Sequence, residues 1–262
     1  MICAITGQSG VLGSNFTKLN SKIKFIKFKG DLSKKKEIIQ FIKDNEFDTI
    51  IHLGAIVPIK EVENNPNYAK KVNLISVGII SEALKKKKKK IWFFFPSTSH
   101  VYAFSNKKIR ESDKKKPINK YGELKFEAEK LIKKKLKNSK VKFCIGRIFS
   151  FTDVKQKKSY FIPRLFLKKA RLKSTFRDFI HVKDICNCIY TLMIKRKEGI
   201  YNIASGKKVN LITINNLMHK AKMKIKDKAK ENLYADISKI KKIGWKPIYN
   251  IKDILNDYKK IS

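Results

Sequence analysis

Thr6-Gly7-Gln8-Ser9-Gly10-Val11-Leu12-Gly13 follows directly on the strand-like Ile2 to Ile5 and opens a helix-like run, and this narrows the folds open to the chain more than any other feature. Gly7 permits a tight turn, Gly10 lets the backbone come close to a pyrophosphate, and Gly13 allows the helix to pack closely on the strand, with phosphates at the positive helix N-terminus. An isolated glycine triplet would say little. Strand, turn and helix in that order point to a nucleotide-binding unit, against the alternative of an ordinary glycine-rich loop. Gly7, Ser9, Gly10, Val11 and Gly13 are therefore cofactor-binding candidates.

Beyond the turn, apolar runs alternate with longer periodic segments, as when parallel strands are joined by crossover helices. Candidate strands are Ile2 to Ile5, Ile23 to Phe28, Thr49 to Leu53, Ile91 to Phe95, Val141 to Ile145 and Ile200 to Ile203. Candidate helices are Val11 to Asn20, Lys34 to Asp44, Pro66 to Leu84, Asn119 to Leu136 and Val182 to Ile194. The expectation is an α/β fold, a Rossmann-like doubly wound parallel sheet with a small C-terminal substrate-binding lobe. Residues 1–150 with 176–204 would form the dinucleotide-binding domain, and 151–175 with 205–262 the lobe capping the carboxyl edge of the sheet.

Composition excludes several classes. A chain of 262 residues with 42% hydrophobic and 11% aromatic content can bury a real core and is not disordered. Its apolar runs fall short of the ~20 residues a membrane span needs, and the start shows no charged leader or cleavage site, so a cytoplasmic protein is expected. Cys3, Cys144, Cys186 and Cys188 lack zinc or redox spacing and read as reduced core thiols, and no metal site is expected. The 62 Lys+Arg against 22 Asp+Glu leave +40, which fits either a polyanion footprint or compositional drift. Drift is favoured and nucleic acid set aside, because the lysines run from end to end and no base-stacking module is apparent. The densest run, Lys85 to Lys90, reads as a solvated connection between helix and strand.

Tyr121-Gly122-Glu123-Leu124-Lys125 opens a helix-like stretch, so a spacing of four sets both side chains on one face. An ammonium beside a phenol favours the phenolate and lowers its pKa from about 10 toward a range useful for proton transfer. Spacing alone does not single this pair out, since nine tyrosines in so basic a chain give about two such pairs by chance. Tyr160 with Arg164 is another, but it contains Pro163, whereas Tyr121 follows the turn-like Pro117-Ile118-Asn119 and precedes an amphipathic run.

The Gly-x-x-Gly-x-x-Gly spacing resembles that of the extended short-chain dehydrogenase/reductase superfamily (the NAD-dependent epimerase/dehydratase family), whose members largely act on nucleotide sugars. Further matches cover most of the chain. Pro96-Ser97-Thr98-Ser99-His100-Val101-Tyr102 places a threonine four residues before the tyrosine of a Val-Tyr pair, and Lys116 to Glu129 is similar to the family's Pro-x-x-x-Tyr-Gly-x-Ser-Lys-x-x-x-Glu segment, with Leu124 in place of serine. His52-Leu53-Gly54-Ala55, Val72-Asn73-Leu74, Arg177-Asp178-Phe179-Ile180-His181-Val182-Lys183-Asp184 and a C-terminal Asp236-Ile237-Ser238-Lys239 with Ile243-Gly244-Trp245-Lys246-Pro247 resemble other family segments. The resemblance implies that Tyr121, Lys125 and Thr98 are catalytic, and that Tyr121 and Lys125 also contact the cofactor. It places Leu53, Gly54 and Ala55 over the cofactor, Asp31 and Leu32 at its adenine, Arg177 on the substrate diphosphate, and Ser99 and His100 beside the substrate; His181 is structural.

Family members that remove water carry Thr-Asp-Glu where this chain has Thr98-Ser99-His100. A dehydratase is thus disfavoured, and a 4-keto-sugar nucleotide reductase leads over a 4-epimerase with tightly bound NAD. In the reductase, hydride reaches the 4-keto carbon while Tyr121 donates a proton, Lys125 holds the nicotinamide ribose and Thr98 orients the oxygen. Lys27 and Lys29 at the end of the second strand favour NADP over NAD. Two departures stand out. Only 18 positions separate Gly13 from Asp31, so the family's helix between its second and third strands is missing, and the stretch between Arg147 and Arg177 is short. A homodimer through Pro66 to Leu84 and Asn119 to Leu136 is a further expectation of the resemblance. The rival class is a basic nucleic-acid-binding or NADP-sensing protein on a dinucleotide fold.

Overall fold

A computed structural model describes residues 1–167, 172, 174–224 and 231–260. The chain begins with β1 (Ile2–Thr6), turns through the glycines into α1 (Val11–Leu19), returns in β2 (Lys24–Lys27) and crosses by α2 (Lys35–Asp44) to β3 (Thr49–His52). Short helices α3 (Ile59–Asn64) and α4 (Pro66–Lys70) run through a π-helical turn, Lys71–Ile75, into α5 (Ser76–Lys86), followed by β4 (Ile91–Thr98), α6 (Lys120–Leu136) and β5 (Val141–Ile148). Then come β6 (Ser150–Thr152), α7 (Phe161–Phe166), β7 (Phe176–Arg177), β8 (Phe179–His181), α8 (Val182–Ile194), β9 (Gly199–Ile203) and β10 (Val209–Asn210). Helices α9 (Leu211–His219), α10 (Ser238–Lys241) and α11 (Ile251–Lys259) complete the described chain.

Six strands form one parallel sheet in the order β2-β1-β3-β4-β5-β9. Strand order reverses between β1 and β3, and the crevice beyond the carboxyl ends at such a reversal is where open α/β sheets bind ligands. The alternation along β4 shows how both faces are filled. Trp92 and Phe94 join a core with Phe16 of α1 and Ile185 and Leu192 of α8, while Ile91, Phe93 and Phe95 join the opposite core with Ile42 of α2, Ile80 of α5 and Ile132 of α6. All four cysteines are buried free thiols within these layers.

Three expectations are corrected. The strand expected to stop at Phe95 continues to Thr98, because Pro96 costs only its own ladder N–H and sits in register with Gly146 of β5. The helix expected over Pro66 to Leu84 carries the π turn, which a count of apolar positions does not reveal. Within Lys85 to Lys90, Lys87 is not simply solvated: its Nζ donates to the carbonyls of Ile42 and Asn45, each at 2.9 Å, closing the C-terminal end of α2. At this edge of the sheet the chain passes from β2 straight toward α2, and β2 is the outermost strand, with Lys24 and Lys27 exposed on it.

Ile162, Leu165, Ile214, Ile254 and Leu255 of α7, α9 and α11 pack with Phe179 as a separate apolar cluster. Leu233, Ala235, Ile237, Ile240 and Trp245, by contrast, join the main core on the α8 side of the sheet. Residues 168–171 and 173 of the expected lobe, and 225–230 and 261–262, lie outside the described residues. Among the described residues no helix is long and apolar enough to cross a membrane, and no group of three or more His, Cys, Asp or Glu side chains could hold a metal ion.

Candidate active site

The glycine turn is closed on its inner side by backbone. Gly7 has φ +70°, and a Cβ there would overlap the Gly54 amide, while one at Gly13 would overlap the Gly7 carbonyl. At Gly10 the only close neighbour of a Cβ would be the Gly7 oxygen at 3.3 Å, so the outer side is open. Gly10 caps α1 with no side-chain hydrogen bond to the first-turn amides, which leaves an anion-binding helix terminus. Gln8 adds a second sign of a ligand: its Nε2 donates to the Phe28 carbonyl at 2.8 Å, whereas its buried Oε1 has no partner. These residues fit a dinucleotide.

The strip continues across the sheet. Leu32 lies against Gly54, where a Cβ would overlap its side chain, and Gly54 lies against Gly7. Thr6 Oγ1 accepts from the Gly54 amide at 3.2 Å and meets His52 Nδ1 at 2.7 Å. Asp31 Oδ1 accepts from the Ser33 amide at 2.7 Å, which fixes the turn entering α2. Leu53 and Ala55 are half-buried on either side of Gly54. Asn73, set in the π turn, pins the following loop by bonding both the amide and the carbonyl of Ile56 at 2.8 Å.

The residues expected to be catalytic stand at the carboxyl end of β4 and the start of α6. Asn119 caps α6, accepting from the Gly122 amide at 2.9 Å, and Tyr121 and Lys125 lie on the helix's buried face as their spacing requires. Lys125 Nζ donates to the Pro96 carbonyl at 2.8 Å, and lies 4.4 Å from the Phe95 ring centroid and 6.0 Å from that of Tyr121. Burial pushes the Lys125 ammonium down to about 7. Tyr121 is corrected relative to the spacing argument: burial first, and Tyr160 second, raise its phenol above the usual value, and Lys125 does not offset this. The phenol therefore holds its proton. Thr98 is buried, and its Oγ1 accepts from the His100 amide at 3.3 Å. Ser99 is buried in the same turn.

Behind these residues lies a network that motif reading missed. Glu129 and Arg147 are fully buried, with Arg147 Nη2 2.6 Å and Nε 2.9 Å from the carboxylate, and Ser97 Oγ donates to the same carboxylate at 2.5 Å. Arg147 also donates to Tyr102 OH at 2.8 Å, and that hydroxyl donates to Asn202 at 2.7 Å. The available signal was Glu129 four residues after Lys125: a carboxylate on the buried face of a helix demands a cation partner.

Arg177 is half-buried in β7, its Nη1 donating to the carbonyls of Phe176 and Glu231 and its guanidinium over the Phe104 ring at 5.7 Å. Burial and the charge of Arg177 hold His100 down to about 4, a neutral imidazole at physiological pH. Asp178 and Asp184 are structural. Asp178 accepts from the Ser205, Gly206 and Ala235 amides, and Asp184 from those of Ile248 and Tyr249. His181 is structural too, accepting from the Lys183 amide at 3.0 Å and meeting Asp257 at 2.9 Å.

Comparison with known proteins agrees with this architecture. Residues 6–258 match the family model described as GDP-mannose 4,6 dehydratase. A UDP-glucose 4-epimerase of Mycoplasma genitalium is 25% identical, covering 92% of this chain and 83% of its own. A GDP-6-deoxy-D-talose 4-dehydrogenase of Aggregatibacter actinomycetemcomitans is 27% identical over 77% of this chain and 74% of its own. The fold matches that of the Thermus thermophilus UDP-glucose 4-epimerase solved with NAD, with TM-score 0.85 and 16% identity over 100% of both chains. The chain is thus an enzyme of the GDP-mannose 4,6 dehydratase family, within the extended short-chain dehydrogenase/reductase superfamily.

Proposed function

We propose that this enzyme is an NAD(P)-dependent oxidoreductase acting at C4 of a nucleotide-activated sugar in the cytoplasm, working as a 4-keto-sugar nucleotide reductase with exchangeable NADP. The observation that carries the reading is the meeting of a protonated Tyr121, a buried Lys125 and Thr98 at the end of β4, beside a glycine turn open to phosphate. The dinucleotide, when bound, supplies the hydride that reduces C4. Gly7, Ser9, Gly10, Val11 and Gly13 hold its pyrophosphate through the free amides of α1, and Asp31, Leu32, Leu53, Gly54 and Ala55 flank its adenosine half. Lys125 anchors one hydrogen on the Pro96 carbonyl and offers the others to a ribose hydroxyl. Tyr121 gives its proton to the oxygen developing charge at C4, which Thr98 orients. Arg177 grips the substrate diphosphate with its planar fork, and Ser99 and His100 stand beside the sugar. The separate cluster of α7, α9 and α11 forms the lobe that covers it.

Reduction is preferred over epimerisation because only the four-residue β2 lies beyond β1 on the adenosine side, a light hold on a group that an epimerase must retain through every turnover. Epimerisation at C4 is the second reading, supported by the named activity of the Mycoplasma genitalium relative. Lys27 and Lys29 favour the 2′-phosphate of NADP. The half-open groove of about 700 Å³ lined by Leu74, Ile75, Gly78, Ile79 and Leu131 on α5, α6 and the π turn supports homodimerisation through those helices. The decisive experiment offers NADPH and a set of 4-keto nucleotide sugars to wild type and to Tyr121→Phe. Turnover by wild type that is abolished in the variant, while dinucleotide still binds, is expected. Full activity of the variant, or an inert wild type, would overturn the reading. Dinucleotide carried through purification would move it to epimerisation.

A further inference from the structure

We infer that Asn119 is a positioning residue that locks the imidazole of His100 in its Nε2–H tautomer, giving the sugar site a neutral hydrogen-bond donor that faces a sugar oxygen and cannot serve as a base. The chain of hydrogen bonds has one possible direction. The Gly122 amide can only donate, and it lies 2.9 Å from Asn119 Oδ1, which fixes which end of the Asn119 side chain is the carbonyl. The other end, Nδ2, can therefore only donate, and it lies 3.0 Å from His100 Nδ1. Nδ1 must accept, and the ring proton sits on Nε2. An imidazolium would confront the Asn119 amide hydrogen with a second hydrogen, so the charged ring is disfavoured by contact as well as by burial and by Arg177.

The ring is held in place from several sides. The His100 carbonyl accepts from the Ile118 amide at 3.1 Å, the His100 amide donates to Thr98 Oγ1 at 3.3 Å, and the ring meets the Tyr121 ring edge-on at 6.2 Å between centroids. Gly122 allows this closeness, since a Cβ there would overlap the His100 carbonyl. Nε2 has no hydrogen-bond partner among the described residues. His100 is partly exposed, so this N–H is open to a ligand rather than enclosed, and Thr98 and Tyr121, which contact His100, are the groups assigned to the reacting sugar. The ligand class is therefore a hydroxyl or carbonyl oxygen of that sugar. This last step rests on the proposed function; the tautomer does not.

The test separates the two. With four histidines in the chain, nitrogen-15 NMR of the side chains, with His100 assigned by loss of its signals in His100→Gln, reads the tautomer without substrate. Wild type is expected to show Nε2–H and an unprotonated Nδ1 for His100, unchanged from about pH 6 to about pH 8. Asn119→Asp keeps the α6 cap, because a carboxylate still accepts from the Gly122 amide, but it offers Nδ1 an acceptor, and the proton is expected to move to Nδ1. In that variant KM for the nucleotide sugar should rise about tenfold or more, with dinucleotide affinity unchanged. An Nδ1–H tautomer in wild type, or an unmoved proton in Asn119→Asp, would overturn the inference. An unchanged KM despite a moved proton would refute the contact with sugar. An inert wild type with the expected tautomer would count against the proposed function alone.

Discussion

At the β4–α6 side of the ligand edge, side chains are held by buried charge and directed hydrogen bonds; at the β1–β2 side, the backbone is held by the absence of side chains. Lys125 is tied to the Pro96 carbonyl, Ser97 to Glu129, and Glu129 to Arg147, so the strand and helix bearing the proposed catalytic groups are locked together. The glycine turn instead gains its shape from close backbone approach at Gly7 and Gly13, and the sheet beyond it ends in one short strand. The difference teaches a division of labour. In the proposed function, chemistry needs groups fixed to a fraction of an ångström, whereas an exchangeable cofactor needs a surface it can enter and leave.

The largest effect expected is at Tyr121. Tyr121→Phe should lower kcat by about 10³-fold or more while leaving dinucleotide affinity within about twofold, as read by steady-state kinetics and calorimetric titration. Removing the charge partner behind it should be felt in stability. Glu129→Ala strands a fully buried Arg147 and should cost about 3–5 kcal/mol in chemical denaturation. A loss within experimental error would mean that the network does not lock the two elements. On the other side, Gly13→Ala drives a methyl group into the Gly7 carbonyl and should cost about 1–3 kcal/mol of stability together with dinucleotide affinity; an unchanged affinity would break the contrast drawn here.

Two smaller effects sharpen it. In the proposed function Lys125 holds a ribose hydroxyl as an ammonium, and burial pushes that ammonium down to about 7. The protonated fraction falls above that pH, so kcat/KM measured against pH should decline on the alkaline side by about tenfold per unit, whereas a profile rising there would contradict the role. Least of all, Lys27→Glu or Lys29→Glu should shift the ratio of NADPH to NADH affinity by about threefold to tenfold toward NADH, since both lysines are exposed and screened.

Much of this was legible in the sequence where local patterns carry the information. The glycine spacing places α1, the alternation of Ile91 to Phe95 places β4 between two cores, and Asn119 ahead of an amphipathic run marks the start of α6. What escaped depends on tertiary partners. Arg147 finds Glu129 only once β5 lies beside β4, and Tyr121 loses rather than gains acidity only once Ile56, Val57 and Leu74 close around it. The π turn at Asn73 and the passage of β4 through Pro96 break local rules, and both occur where the site is built.

The central claim is that hydride reaches C4 of a nucleotide sugar in this site. Its most direct test is turnover of a 4-keto nucleotide sugar with NADPH deuterated at the transferring position, followed by mass spectrometry and NMR of the sugar. The account predicts one deuterium, located at C4, in the product made by wild type and none with Tyr121→Phe. A reduced product without deuterium at C4, or deuterium at another carbon, would contradict it.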